Sequence, residues 1–490
     1  MTTKGRQMMI DRMQRLSFQD LTRIHDASMQ ILKTTGIDFN HERIAGLFKS
    51  HGFDTHGTRV YFKETHVYKA LSTTMPAFTL HARNSAKNVT IGGPEGFVFV
   101  PTGGPTRIAG TDGTQRPATM ADYTACCKLV QTSDQVDMGG YLMVQPTDLP
   151  GDTANLDMML AYMTLCDKPV FGASGSGQEA ADALEMAAII FGGREKMLNM
   201  PVVAAVANTL SPLRFSKEEG DVILQMAGWR QPVVISNMIL AGISGPVSLP
   251  ELLALENAEV LAGVVLTQMV SPGTPVLYGS SSAPIDMRTM VSAVGTSEAV
   301  KIASATAQMA GFYNLPCRAG GSLTDAHLPD AQALAEGTLM LSTVVRNGAH
   351  FIYHACGQMG SYISMGYEKW LLDEEICRMV RNILTPMIPA GETIDTDLVN
   401  QVGIGGQYLT HPSTFQKFRN LSASRLFNRK DYTRWHKSGA RRVDTQAYDT
   451  LGIRLESYEK PPIDPGIEDA LTAYVAARKC SSQPGANLLN

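Results

Sequence analysis

The sequence predicts an α/β protein, a (β/α)8 TIM barrel with an N-terminal helical cap and a C-terminal extension. Two observations predict it. Between about residues 97 and 384, eight short apolar runs alternate with eight longer amphipathic ones, and eight strand–helix units are the number that closes a parallel barrel. No Gly-x-Gly-x-x-Gly fingerprint follows an early strand, which favours the barrel over the open doubly wound sheet that the same alternation permits.

The strand candidates are Phe97–Val100, Met138–Val144, Pro169–Ala173, Pro201–Ala207, Pro232–Met238, Pro275–Gly279, Leu315–Gly320 and Ala349–His354. Several open with proline, which costs no ladder donor at a first position. Helical periodicity follows each run, over Met120–Gln131, Leu156–Cys166, Gln178–Ile190, Ser216–Trp229, Leu249–Met269, Ser297–Phe312, Asp330–Val345 and Trp370–Leu384. Ser216-Lys-Glu-Glu219 fits a capping box, and Thr296 precedes a helix opening with Ser297-Glu298. Ahead of this region, Phe18–Thr35 and His41–Phe53 carry helical spacing, so residues 1–90 are expected to form the cap. Residues 91–390 would be the barrel and residues 391–490 the extension, where the alternation degrades.

Composition narrows the function. Of 490 residues, 44% are hydrophobic and 18% charged, a globular balance that excludes extensive disorder. The net charge of −4 offers no basic face for nucleic acid. The most apolar stretch, Glu251–Val270, contains Glu251, Glu256, Asn257 and Glu259, so no membrane span is expected. The opening segment carries Asp11, Arg12 and Arg15 rather than an apolar signal core. The seven cysteines include no Cys-x-x-Cys pair and read as thiols of a reducing, cytoplasmic environment.

In a parallel barrel, reactive side chains project from strand C-terminal ends and the loops beyond. Those positions hold amides, hydroxyls and aromatics but few paired carboxylates, which disfavours a glycosidase. His350 and His354 sit four apart in a strand-like run. They would be about 13 Å apart, too far to share one ion, so no metal site is expected. Gly172-Ala-Ser-Gly-Ser-Gly177 breaks the nucleophile-elbow spacing and reads as a turn. The predicted strands lack an interior lysine, which disfavours a Schiff-base lyase. From the residues alone, the reading ends at a barrel enzyme with a polar, metal-free pocket.

Several stretches together resemble the trimethylamine methyltransferase superfamily. They are Asp112–Asp122, Gln145-Pro-Thr-Asp-Leu-Pro150, Ala258–Gln268 continuing into Pro272–Gly279, Leu315–Gln332 with Glu336, and Gly357–Glu375. The resemblance implies a barrel enzyme that passes a methyl group from an amine to the Co(I) corrinoid of a separate protein. On this reading the corrinoid is supplied by the partner as methyl acceptor, and no cofactor is tightly bound. In the archaeal trimethylamine enzymes, pyrrolysine occupies the Gly-Gly stretch before the Thr-Asp segment. Here that stretch is Gly320, Gly321, Ser322 and, at its end, Asp325, all standard residues.

Members without pyrrolysine include quaternary-amine demethylases, so the resemblance implies a quaternary donor, with glycine betaine favoured over proline betaine or carnitine. A quaternary ammonium has no N–H to donate and is held by ring faces. The candidate rings are Phe97, Phe99, Tyr278, Tyr353 and Tyr362. A betaine carboxylate seeks Arg, His or amide donors, here Arg318, His350, His354, Asn208, Asn237 and Gln358. A homo-oligomer, with neither nucleic-acid nor membrane partners, completes the expectation.

Overall fold

The computed structural model describes residues 13–94, 96–388, 393–421 and 424–482. Eight parallel strands surround one axis: β1 (Val98–Phe99), β2 (Gly139–Gly140), β3 (Val170–Phe171), β4 (Val203–Asn208), β5 (Val233–Asn237), β6 (Val276–Ser280), β7 (Cys317–Gly320) and β8 (Phe351–Tyr353). Ladders run continuously from β2 through β8 and back to β1. The β1–β2 seam is carried by Asp137, whose N–H donates to Phe99 O at 2.9 Å while its carboxylate accepts from Phe99 N at 2.7 Å. The helices that follow are α1 (Met120–Thr132), α2 (Ala154–Leu165), α3 (Gly177–Phe191), α4 (Lys217–Gly228), α5 (Leu249–Val270), α6 (Ser297–Phe312), α7 (Ala331–Arg346) and α8 (Tyr367–Ile383). All eight strand–helix units fall where the periodicity puts them.

The two faces of each strand feed two separate cores. Val98, Val100, Met138, Phe171, Ala204, Val234, Leu277 and Phe351 fill the lumen. The alternate positions join a larger layer between strands and helices. Beneath the lumen, a hairpin of Ala77–Leu80 and Val89–Gly92 inserts Phe78, Leu80 and Ile91 as a plug. The cap is therefore not only helical. It also carries the three-stranded sheet Ile37–Asp38, Arg59–Tyr61, Asp54–His56. These strands of two or three residues are too short for period-2 alternation to register in sequence.

Helix α5 is buried on every face from Leu252 to Gln268, because the N-terminal helix Phe18–Thr34 packs across its outer side. Three of the polar residues that argue against a membrane span, Glu256, Asn257 and Glu259, are buried here and hydrogen-bonded. Glu256 accepts from Ser280 Oγ (2.7 Å) and Thr306 Oγ1 (2.6 Å). Glu259 accepts from Thr209 (2.6 Å), Ser211 (2.7 Å) and Leu213 N (2.7 Å), pinning the β4–α4 loop. Asn257 donates to Ser28 and Tyr313, tying cap to barrel. No helix among the described residues is long and apolar enough to cross a membrane. Six cysteines are buried free thiols and Cys480 is exposed, consistent with their use as small apolar residues.

Behind β7 and β8 lies a fully buried ion pair. Lys369 Nζ donates to both Asp373 carboxylate oxygens at 2.5 and 2.6 Å. Asp373 also accepts from Ser322 Oγ (2.7 Å) and Gly357 N (2.8 Å). One carboxylate thus anchors the loops after both strands to α8. Removing one partner leaves the other charge buried and uncompensated, which costs about 3–5 kcal/mol. Lys369→Met is expected to lose that much in denaturant unfolding, and Lys369→Met with Asp373→Leu to recover most of it.

Candidate active site

The lumen opens at the C-terminal ends of the strands. Along β4, lumen-facing Ala204 is buried, Val206 half-buried and Asn208 exposed. At this mouth β7 presents Arg318, which is only 4% exposed. Its Nη1 donates to Ser280 O and Ser281 Oγ, and its Nη2 to His354 Nε2 at 3.3 Å. The guanidinium carbon lies 5.2 Å from the centre of the Tyr353 ring. No carboxylate among the described residues pairs with this cation, and burial pushes its pKa below the usual arginine value. At most three of its five N–H donors are engaged in these contacts.

His354 is stacked on Tyr353 at 4.0 Å and meets Tyr362 edge-on at 5.0 Å. Burial, then the charge of Arg318, holds its pKa well below the ordinary histidine value, so the ring is neutral. Its Nδ1–H donates to Gln358 Oε1 at 3.1 Å, leaving Nε2 to accept from Arg318. Gln358 Oε1 also accepts from Thr102 Oγ1 (2.7 Å) and Gly103 N (3.3 Å). Three donors on one atom fix the amide orientation, and the Nε2 group is buried with no acceptor. The local backbone is unusual: His354 and Tyr362 have φ of +61° and +78°. Bulky residues seldom adopt this left-handed region, and they do so where surrounding contacts enforce it.

Arg318, Tyr353, His354, Gln358 and Tyr362 are therefore brought together. Asn208 stands across the mouth on β4. Gly320 and Gly321 continue the Arg318 strand, and Gly321 packs so closely on Ala355 that a Cβ there would lie 2.6 Å from its Cα. Ser322 is held by the buried ion pair. Asp325 accepts from Val294 N (3.0 Å), Gly295 N (2.9 Å) and Ser361 Oγ (2.6 Å), so it fastens the loops after β6, β7 and β8 together.

Five of the sequence-derived candidates lie elsewhere. Phe97 and Phe99 face outward under the Arg381 guanidinium, at 5.2 and 4.6 Å. Tyr278 points toward α5 and donates to Asn257 Oδ1 (3.1 Å), and Asn237 points the same way, toward Glu256 and Glu259. The reason is register: Leu277 faces the lumen, so Tyr278 cannot. His350 sits at the opposite end of β8, bonded to Cys317 N and Gly93 O. In the Gly172–Gly177 turn, Ser176 caps α3 by accepting from Glu179 N at 3.2 Å.

A scan of strand ends misses two carboxylates, because they come from the first turns of helices. Glu179 on α3 accepts from Tyr141 Oη (2.7 Å) and Gly175 N (3.2 Å). Glu219 on α4 accepts from Asn208 N at 3.0 Å. Burial, only partly offset by that bond, raises the Glu219 pKa to about 8. Tyr141 lies within electrostatic reach of Glu179, Tyr353 and Glu219. The mouth thus has a cationic side at β7–β8 and an acidic side at β2–β4. Around it the βα loops expose Met238, Ile243, Val247, Met287, Met290 and Ile363 as an apolar rim. Among the described residues there is no cluster of three or more metal-ligating side chains.

Comparison with known proteins accords with this architecture. Residues 2–483 match the trimethylamine methyltransferase (MTTB) family. A glycine betaine methyltransferase of Desulfitobacterium hafniense (strain Y51) is 35% identical over 466 residues, covering 94% of this chain and 96% of its own. A proline betaine:corrinoid methyltransferase of Eubacterium limosum is 30% identical over 432 residues, covering 85% and 87%. The crystal structure of the Methanosarcina barkeri monomethylamine methyltransferase shares the fold, with a TM-score of 0.50 at 13% identity, over 93% of this chain and 97% of that one. The chain belongs to the trimethylamine methyltransferase family.

Proposed function

We propose that this protein transfers a methyl group from a carboxylate-bearing quaternary amine, glycine betaine first among them, to the Co(I) corrinoid of a partner protein, releasing a tertiary amine such as dimethylglycine. The observation that carries this reading is Arg318: a buried cation with spare donors, no carboxylate partner among the described residues, and the acceptor-less Gln358 Nε2 close by through His354. A buried charge is costly unless an opposite charge meets it. A betaine carboxylate supplies that charge through charge-assisted hydrogen bonds, whereas trimethylamine has none to offer. Proline betaine and carnitine carry the same group and remain alternatives. A Schiff-base lyase finds no support, since buried Lys168 bonds Ser133 O and Val136 O while Lys369 is paired with Asp373.

On this reading Arg318 and Gln358 hold the carboxylate, and neutral His354 keeps the guanidinium oriented. The ammonium then lies toward the Tyr353 and Tyr362 faces and the acidic side of the mouth. In the transfer the methyl C–N bond breaks, its electron pair stays on nitrogen, and a cobalt–carbon bond forms. No proton moves, so no general base is assigned. Holding one methyl toward the open end is a proximity effect. The apolar rim supports docking of the corrinoid protein over the mouth, because exposed patches of this kind mark interaction sites. Residues 1–90, 91–390 and 391–490 would serve as cap, catalytic barrel and extension, in a cytoplasmic protein.

Three outcomes check this. Purified protein is expected to convert cob(I)alamin to methylcobalamin with glycine betaine and to release dimethylglycine; turnover of trimethylamine with no betaine donor active would overturn the reading. Arg318→Met is expected to weaken betaine binding by about 10–100-fold, the range of a hydrogen bond to a charged group, measured by calorimetry. Its thermal midpoint should be unchanged or higher, since an unpaired buried charge is removed. Because a bound cation favours ionised Glu219, betaine KM is expected to fall as pH rises toward about 8 and then to level off. Glu219→Gln should abolish that dependence.

A further inference from the structure

The rings that flank Arg318 can shape a pocket for an ammonium group, but they are poor readers of its charge. The Tyr353 face already lies 5.2 Å from the guanidinium carbon, and Tyr362 stands on the same side, edge-on to His354 at 5.0 Å. Two cations drawn to one ring repel each other. Across the mouth the charge is reversed. There β2 ends in Gly140, whose φ of +140° brings the chain so close to β3 that a Cβ would lie 2.1 Å from Phe171 O. Tyr141 follows at once, its N–H donating to that same oxygen at 2.8 Å. It is the first side chain beyond the strand end, where barrels place the residues that meet a ligand. Tyr141 is half-buried and within electrostatic reach of both Tyr353 and Glu219, which sets it at the mouth between the two.

Its ring is tethered. Tyr141 Oη donates to Glu179 Oε2 at 2.7 Å, and Gly175 N donates to the same oxygen at 3.2 Å. Burial, then the charge of Glu179, raises the phenol pKa, so the hydroxyl stays protonated and keeps donating. Glu179 lies in the first turn of α3, where the helix dipole attracts a negative side chain. The Gly172–Gly177 turn leaves room for this contact: a Cβ on Gly175 would lie 2.9 Å from both Glu179 carboxylate oxygens and 3.0 Å from Tyr141 Oη. A phenol that donates to a carboxylate gains electron density in its ring, and electron-rich ring faces attract quaternary ammonium groups. We propose, on the betaine reading above, that Tyr141 is the specificity-determining ring for the positive nitrogen and that Glu179 is the positioning residue that aims it.

A pair of ligands of one shape tests this. Glycine betaine and tert-butylacetate carry the same carboxylate and the same trio of methyl groups, but carbon replaces the cationic nitrogen in the second. Calorimetry on the full chain is expected to show betaine bound more tightly by about tenfold or more. Tyr141→Leu should cut that ratio by about 3–30-fold, the range of a cation–π contact, with the affinity for tert-butylacetate nearly unchanged. Glu179→Ala, which frees the ring, should cut it as well. Glu179→Gln, which can still accept from the hydroxyl, should keep most of it. The Glu179 variants carry the test if Tyr141→Leu does not fold. Arg318→Met should weaken both ligands alike, because it acts on the carboxylate. Equal affinities in the wild type, a ratio that survives Tyr141→Leu or Glu179→Ala, or a Glu179→Gln protein as impaired as Glu179→Ala would overturn this inference alone. A wild type that binds neither ligand, or an Arg318→Met protein that binds both as before, would overturn the betaine reading and the inference with it.

Discussion

A guanidinium held out of water, with no carboxylate beside it among the described residues, is the constraint around which this barrel is arranged. Desolvating a cation costs several kcal/mol, and the structure offsets part of that cost with neutral acceptors. Ser280 O, Ser281 Oγ and His354 Nε2 receive Arg318, and the Tyr353 ring lies beneath it. None of these carries a full negative charge. The site is left electrostatically incomplete, as a site that recognises an anion is expected to be.

Holding that arrangement requires rigidity from several loops at once. Gln358 gathers Thr102, Gly103 and His354 onto one oxygen, joining the loops after β1 and β8. Asp325 joins those after β6, β7 and β8. The Lys369–Asp373 pair fastens Ser322 and Gly357 to α8 from behind. Such buried networks fix geometry more than they add stability. They also sustain the left-handed backbone of His354 and Tyr362, which short loops alone would not hold.

The mouth is polarised as well as rigid. Arg318 lies on the β7–β8 side, and Glu179 and Glu219 lie on the β2–β4 side. The zwitterionic donor proposed above would have one favoured orientation there, carboxylate to Arg318 and ammonium away from it. The loops around the opening expose apolar side chains, on which the docking proposed above rests. The proposed transfer moves no proton, and the role proposed for His354, whose pKa burial holds low, is to orient the guanidinium.

The sequence by itself determined the barrel. All eight strand–helix units were legible because apolar periodicity and Pro or Ser boundaries are local signals. It also determined that Arg318, His354, Gln358 and Tyr362 belong near strand ends, since chain order places them there. Which of two neighbouring residues faces the lumen was decided only by tertiary structure. Leu277 faces in and Tyr278 out, and Phe99 turns outward to meet Arg381 from α8. A run apolar on both faces carries no alternation from which that choice could be read. Nor could sequence show that Glu179 and Glu219, on the first turns of helices, lean back over the mouth, or that no carboxylate among the described residues pairs with Arg318. Those facts depend on pairs of residues tens of positions apart, which only the closed barrel brings together.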